Sequence, residues 1–239
     1  MQVIPRIALM GAMQEELSAI LMCMSDAHCE TVAGRQFWLG HFEGQAVVAV
    51  LSGIGKVAAA LTATVLIDKF RVSSIVFTGV AGGLSDRVQV GDVVVATALL
   101  QHDMDASPLF PPYEVPLTGC AQFPTDEGIT QSLLASAQQA LPQVSVHAGL
   151  VISGDQFVSS TAASQQLQRS LPQAMAVEME GAALAQVCRD FGVPLGVIRT
   201  ISDRADDDAH PDFSSFVQDV ASHYSLAIVS AYLKRLNQV

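Results

Sequence analysis

The sequence predicts an α/β protein, a three-layer α/β/α single domain around a central, twisted, mostly parallel mixed sheet. Three observations predict it. Apolar, β-branched runs such as Ser74 to Val80 alternate with helical patterns such as Val57 to Lys69, as in parallel strands joined by crossover helices. The longest of these runs show no polar alternation, so both faces of the sheet are expected to be covered. The 239 residues, half of them apolar and 15% charged, suffice for one large core, and no linker or internal repeat divides them.

Ile7 to Met10 reads as the first strand, and Gly11-Ala12-Met13 turns the chain into a helix carrying Gln14, Glu15 and Glu16. Phe37 to Phe42 and Gln45 to Leu51 flank the turn Glu43-Gly44 and read as a hairpin. Ser52-Gly53-Ile54-Gly55-Lys56 then opens an alanine-rich helix. Gly53, Gly55 and Ala58 fit G-x-G-x-x-A, but the turn follows a hairpin strand and no acid closes a βαβ unit at the required distance. Val50 stands where a phosphate loop needs glycine. What remains is a tight turn that lets the backbone approach a ligand.

Ser74 to Val80 runs into Gly82-Gly83, and Val93 to Leu100 forms the next strand. His102 to Thr125 holds Pro108, Pro111, Pro112, Pro116 and Pro124; irregular stretches this long are functional or lie at an interface. A helix capped by Asp126 or Thr125 ends at Pro142, and Val146 to Ser153 is a strand leading into Gly154-Asp155-Gln156-Phe157 and a short polar helix. Ala174 to Val177 ends another strand. It feeds a helix from Gly181 to Phe191 with Leu184, Val187, Cys188 and Phe191 on one face. Gly192 stops that helix, and Pro194 introduces the strand Leu195 to Ile201. An acidic loop, 202–212, precedes a final helix from Phe213 with Phe216, Val217, Val220 and Tyr224 at helical spacing.

The formal net charge of −11 with no basic cluster excludes nucleic acid and anionic membrane surfaces as partners. No apolar run reaches the roughly 18–20 residues that span a bilayer, and Glu15 and Glu16 cut the first apolar run too short for a secretory leader. Cys23, Cys29, Cys120 and Cys188 are scattered without a C-x-x-C pair, so neither zinc nor a disulfide framework is expected. Reduced thiols, a cytoplasmic location and no cofactor are the expectation.

Ligands of α/β sheets bind at the carboxyl ends of the strands. That edge would gather Glu16, the Gly53 to Gly55 turn, Val80 to Gly83, Phe157, Met179-Glu180 and Asp203, with Arg199 as the one local base. Glu178 and Glu180 are expected to share a face, with Met179 opposite. Taken singly, two acids near a helix start could complement its dipole, Asp203 could cap a turn, and Arg199 could be a structural partner of Glu178. Taken together, separated carboxylates between apolar and aromatic walls suit a neutral ligand with hydroxyls and a flat ring. They also suit glycosyl transfer to water, with one acid protonating the leaving group and another activating water. A carboxylate near the sugar favours the developing positive charge. The residues alone name no substrate.

Gly11-Ala12-Met13-Gln14-Glu15-Glu16, Ser52-Gly53-Ile54-Gly55-Lys56-Val57-Ala58-Ala59-Ala60, Thr78-Gly79-Val80-Ala81-Gly82-Gly83-Leu84, Ser153-Gly154-Asp155, Val177-Glu178-Met179-Glu180 and Ile201-Ser202-Asp203 follow one another in this order. In that order they resemble the bacterial 5'-methylthioadenosine/S-adenosylhomocysteine nucleosidases over essentially the whole chain. The resemblance implies that Glu16 positions and deprotonates the attacking water, and that Asp203, oriented by Ser202, protonates N7 of adenine. It implies that Glu180 binds the ribose hydroxyls, Met179 packs on the sugar and Arg199 lies near the water and the acidic cluster. Phe157 would stack on adenine, and the Val158 backbone would read the base edge. Ile54, Met13 and Phe213 would line the ribose and alkylthio pockets, with Val177 and Val80 completing the binding set. Val80 stands where members of the family often carry a hydroxyl near the water.

The resemblance further implies an adenine-nucleoside substrate and a homodimer with the 102–116 loop at its interface, where Leu109, Phe110 and Tyr113 are the interface candidates. The roles demand that Asp203 hold a proton near neutral pH, well above the usual carboxyl value of about 3.9, while Glu16 stays ionised. A nucleoside phosphorylase would need arginines beside the first glycine turn, where Gln14-Glu15-Glu16 stand instead. A futalosine-type nucleosidase would use the same acids, and a non-catalytic nucleoside-binding protein would lack one of them.

Overall fold

Two blocks of parallel strands build the sheet of the computed structural model, which describes residues 5–206, 216 and 220–237. The first block is β4 (Gln45–Leu51), β1 (Ile7–Gly11), β5 (Ser74–Gly83) and β10 (Leu195–Asp203), each parallel to the next. The second is β6 (Val93–Gln101), β8 (Val146–Ser153) and β9 (Ala174–Glu178). Antiparallel pairings of β10 with β6 and of β9 with β5 join the blocks at both ends. The sheet is mixed, as expected, and in addition closes on itself as a ring of β5, β10, β6, β8 and β9. Strand and helix alternation carries no sign of that closure, because one strand pairing to different partners along its length leaves no period in the residues.

β3 (Arg35–Phe42) forms the expected hairpin with β4, and outside it lies β2 (Ser25–Val32), which the sequence reading missed. β2 is an edge strand with mostly exposed side chains, so it carries no apolar pattern. The short β7 (Gln122–Pro124) adds to β6.

Helices cover both faces. α2 (Lys56–Asp68) packs with α5 (Gly181–Phe191) on one side. α1 (Gln14–Cys23), α3 (Glu127–Ala140) and α6 (Ser222–Leu236) pack together on the other, and α4 (Thr161–Ser170) lies at the periphery with one buried residue, Ser164. The core accordingly divides into a cluster around Phe37, Phe77, Leu184 and Val197, another around Leu9, Ile20, Leu133 and Ile228, and a smaller third around Leu84, Leu100, Ile152 and Val177. Gly192 ends α5 in the left-handed conformation (φ 68°), as anticipated. Among the described residues, no helix is long and apolar enough to cross a membrane.

One detail of β5 positions the site. Along one edge it pairs with β1 from Ser74 to Phe77 and with β9 only at Gly82 and Gly83. Between these ladders the strand faces no neighbour on that edge, and the Val80 N–H there must find another acceptor. On the opposite edge β10 pairs along β5 from Ile75 to Gly82.

Phe77 lies in the core at the end of the β1 ladder, fully buried, with the Arg199 guanidinium carbon 3.9 Å from its ring centroid. Truncating it removes core volume and the ring beneath a buried cation. Phe77→Ala is expected to lower the free energy of unfolding by about 3–5 kcal/mol in urea titration.

Candidate active site

Glu16 fills the gap in the β5 edge. As the third residue of α1 its side chain turns back over the helix start, where Oε2 accepts the N–H groups of Ala12 (2.7 Å) and Met13 (2.9 Å). Its Oε1 accepts the stranded Val80 N–H at 3.1 Å. One carboxylate therefore caps the helix and completes the strand edge. Only 3% of Glu16 is exposed. Burial lifts its pKa above the ordinary carboxylate range, while the Arg199 charge and the three N–H groups oppose that rise.

Arg199 is the other half of this arrangement. It projects from β10 into the interior, where Nη2 donates to Glu178 Oε2 at 2.6 Å with both side chains almost wholly buried. Glu178 also accepts the N–H groups of Glu180 (3.1 Å) and Gly181 (2.8 Å) and the hydroxyl of Ser153. Gly79 leaves the room for it. A Cβ there would lie 2.6 Å from Glu16 Oε1 and 2.7 Å from Arg199 Nη1, so any side chain would drive the carboxylate and the guanidinium apart. Sequence reasoning did not single out Gly79. The available signal was a glycine inside an apolar strand, which marks close approach of another group.

Glu180 follows the end of β9. The chain leaves the extended conformation there (φ −132°, ψ −44° at Glu180). Strict alternation therefore ends at Glu178. The expectation that Met179 points away from its acidic neighbours is corrected, because Glu178, Met179 and Glu180 all line one cavity. Glu180 Oε1 accepts the Gly55 N–H at 2.8 Å, which ties the glycine turn to the site. Gly55 holds φ +97°, a conformation that L side chains rarely adopt. Burial first, and the Glu178 charge second, push Glu180 up to about 8.

The next residue of the same turn carries a second connection. The Lys56 N–H donates to Asp155 Oδ1 (2.8 Å), the Asp155 N–H to Asp103 Oδ2 (3.0 Å), and Lys56 Nζ sits 2.7 Å from Asp103 Oδ1. This triangle fixes the turn against the loop that bears Phe157.

Asp203 ends β10, with Oδ2 accepting from Ser202 Oγ and Oδ1 from the Ala205 N–H, both at 2.7 Å. Burial raises its pKa. The two hydrogen bonds oppose the rise, and the neighbouring charge of Asp206 adds to it. Burial lifts both Asp203 and Glu16, so what distinguishes them is their company. Glu16 faces a guanidinium and three donors, whereas Asp203 faces one hydroxyl, one N–H and a like charge.

Glu16 and Asp203 line the same cavity of about 340 Å³. Met13, Ile54, Val80, Phe157, Val158 and Val177 line it with Met179, Glu180 and Ser202. Phe157 is half exposed at its mouth. Arg199 stands behind the wall rather than on it, beyond Glu178. Phe213 lies outside the described residues. Sequence reasoning placed no binding role on Glu178 or Gln156, and both line the cavity. Four carboxylates and no cation line it among the described residues. Such a wall offers no counter-charge to an anion, and whatever carboxylate charge it carries stabilises positive charge developing on a bound ligand.

Comparison with known proteins agrees with this geometry. The model of the phosphorylase superfamily matches residues 6–234. A 5'-methylthioadenosine/S-adenosylhomocysteine nucleosidase of Shewanella baltica is 37% identical over 97% of this chain and 98% of its own. The solved nucleosidase of the same description from Neisseria meningitidis, in complex with methylthio-immucillin-A, superposes with a TM-score of 0.91 at 32% identity, covering 96% of this chain and 99% of that one. The futalosine hydrolase of Helicobacter pylori superposes with a TM-score of 0.89 at 33% identity, covering 99% of each chain.

Glu180 makes stability depend on pH. Its folded pKa of about 8 exceeds the ordinary 4.5, so between those values only the unfolded chain releases the proton. Its contribution is present in full below about pH 4.5, declines as pH rises and is gone above about pH 8. Glu180→Gln has no proton to release. The variant is expected to gain thermal stability relative to the parent as pH rises from 5 to 8, read as a widening difference in Tm.

Proposed function

We propose, for a chain that belongs to the phosphorylase superfamily and within it to the 5'-methylthioadenosine/S-adenosylhomocysteine nucleosidases, that it hydrolyses the N-glycosidic bond of those two nucleosides. The products are adenine and the corresponding thioribose. The observation that carries this reading is a pair of buried carboxyl groups with different partners, Glu16 beside Arg199 and three N–H donors and Asp203 beside one hydroxyl, one N–H and Asp206, on the walls of one cavity.

Asp203, lifted by burial, gives its proton to N7 of adenine, which then leaves as a neutral base. Its Ser202 and Ala205 hydrogen bonds aim the carboxyl and accommodate the anion left behind. The sugar passes through a cation at C1', which the acidic cavity favours over bulk water. Glu16, braced by three N–H groups, takes a proton from water as its oxygen adds to C1'. Glu180 accepts the ribose hydroxyls, and Met179 packs on the sugar. Phe157 stacks on adenine, and the Val158 backbone meets its edge. Met13, Ile54, Val80 and Val177 supply apolar wall. Arg199 acts through others, holding Glu178 and facing Glu16.

Water rather than phosphate is the acceptor, because the cavity wall offers no cation to an incoming phosphate among the described residues. The enzyme is read as a cytoplasmic homodimer with the 102–116 segment at its interface. Exposed Leu109 of that segment supports an apolar contact there. A second reading, hydrolysis of futalosine-type nucleosides, is favoured by the likeness to the Helicobacter pylori hydrolase, and turnover of 6-amino-6-deoxyfutalosine beside that of methylthioadenosine separates the two.

Adenine release from methylthioadenosine is expected to proceed without phosphate and to yield free sugar when phosphate is added. Sugar phosphate among the products would show a phosphorylase. Glu16→Gln and Asp203→Asn are each expected to reduce kcat by about 10²-fold or more; near-parental turnover in either variant would remove that residue from the mechanism.

A further inference from the structure

A second concavity lies beside the first along the same sheet edge. It has a volume of about 730 Å³, and Gln14, Thr31, Arg35, Gln36, Trp38 and Gly53 are among its walls. The two are next-door spaces. Met13 and Ile54 face the acidic cavity, while their chain neighbours Gln14 and Gly53 face the groove. Beneath them β1 and β4 are adjacent strands, which sit about 4.8 Å apart. Ser52 N–H donates to Gly11 O at 2.8 Å, which ties the groove wall to the end of β1, and within the groove Arg35 Nε donates to Ser52 O at 3.0 Å.

The charges of the two spaces are opposite. The cavity holds four carboxylates and no cation, whereas the groove holds one cation, Arg35, and no carboxylate, counted over the described residues. In a chain of net charge −11 that is a local reversal of sign. Arg35 is held in place by carbonyls rather than by an acid: Nε donates to Ser52 O and Nη1 to Ala33 O at 3.1 Å. Its Nη2 donates to no described residue. A guanidinium so anchored, with a nitrogen to spare and no ion pair among the described residues, is suited to reading a carboxylate.

We propose that this groove is a subsite for the amino-acid arm of a 5'-thio substituent, with Arg35 binding its carboxylate. The inference rests on the nucleosidase reading above. Of the two nucleosides, only S-adenosylhomocysteine carries such an arm; methylthioadenosine ends in a methyl group. From sulfur to carboxylate the arm spans roughly 5–6 Å in extended form, about the spacing between neighbouring strands, and the two walls are one residue apart in the chain at Met13–Gln14 and at Gly53–Ile54. The nucleoside thus lies across a boundary of charge, its cationic transition state over the acids and its anionic end over Arg35. Arg35 is a specificity residue and takes no part in bond breaking.

The test compares three substrates: methylthioadenosine, S-adenosylhomocysteine, and the analogue of the latter in which hydrogen replaces the carboxylate. The parent protein is expected to favour S-adenosylhomocysteine over the carboxylate-free analogue by about tenfold in kcat/KM, expressed in KM, as for a hydrogen bond to a charged group. Arg35→Gln is expected to abolish that preference while leaving kcat/KM for methylthioadenosine within twofold. Absence of the preference in the parent protein would overturn the proposal without need of any variant. A variant that loses activity equally on all three substrates would also overturn it, reducing Arg35 to a clamp on the Ser52 turn. Failure of the parent protein to release adenine from methylthioadenosine would instead strike the nucleosidase reading itself.

Discussion

A guanidinium buried among carboxylates is the constraint on which the site depends. Arg199 reaches from β10 to Glu178 at the end of β9, lies on the Phe77 ring of β5 and faces Glu16 of α1. Removing such a charge from water is costly, and it is tolerated inside a protein only where partners surround it. Glu178, Phe77 and Glu16 come from separate parts of the chain, so gathering them around Arg199 brings the strand ends and the first helix together, while its buried Nε has no hydrogen-bond partner among the described residues. The same cation opposes, without cancelling, the rise that burial imposes on the Glu16 pKa.

The gap along β5 supplies the complementary part. An unpaired strand N–H inside a protein requires an acceptor, and at Val80 the acceptor is the Glu16 carboxylate. The group read here as the water-activating base thus completes the sheet's hydrogen bonding and caps a helix. Its position is over-determined, and it needs little reorganisation when substrate enters. Glu180 is held less completely, with the Gly55 N–H as the one backbone donor to its carboxylate among the described residues, and burial beside Glu178 pushes its pKa up to about 8.

Electrostatic contrast is the second organising feature. Carboxylates gather over the C-terminal ends of the central strands, and a lone guanidinium stands over the hairpin beside them. A ligand that becomes cationic at one end and is anionic at the other matches both regions. The glycine turn from Gly53 to Lys56 divides them, held by Glu180 on one side and Asp155 on the other.

Much of this was legible in the residues themselves. Apolar runs between helical patterns determined the layering, and the glycine turns determined where the backbone would come close to a ligand. The acids at three junctions, Glu16, Glu180 and Asp203, suit a glycosyl-transfer chemistry from the residues alone, without naming a substrate. Tertiary structure alone decided the closure of the ring, the retreat of Arg199 behind Glu178, the turning of Met179 onto the cavity wall and the roles of Gly79 and Arg35. The physical reason is sequence distance. Periodicity and turn chemistry act over a few neighbouring residues, whereas Val80 meets Glu16 across 64 positions and Gly55 meets Glu180 across 125. Which buried acid is compensated depends on those long-range contacts, and no local pattern of residues encodes them.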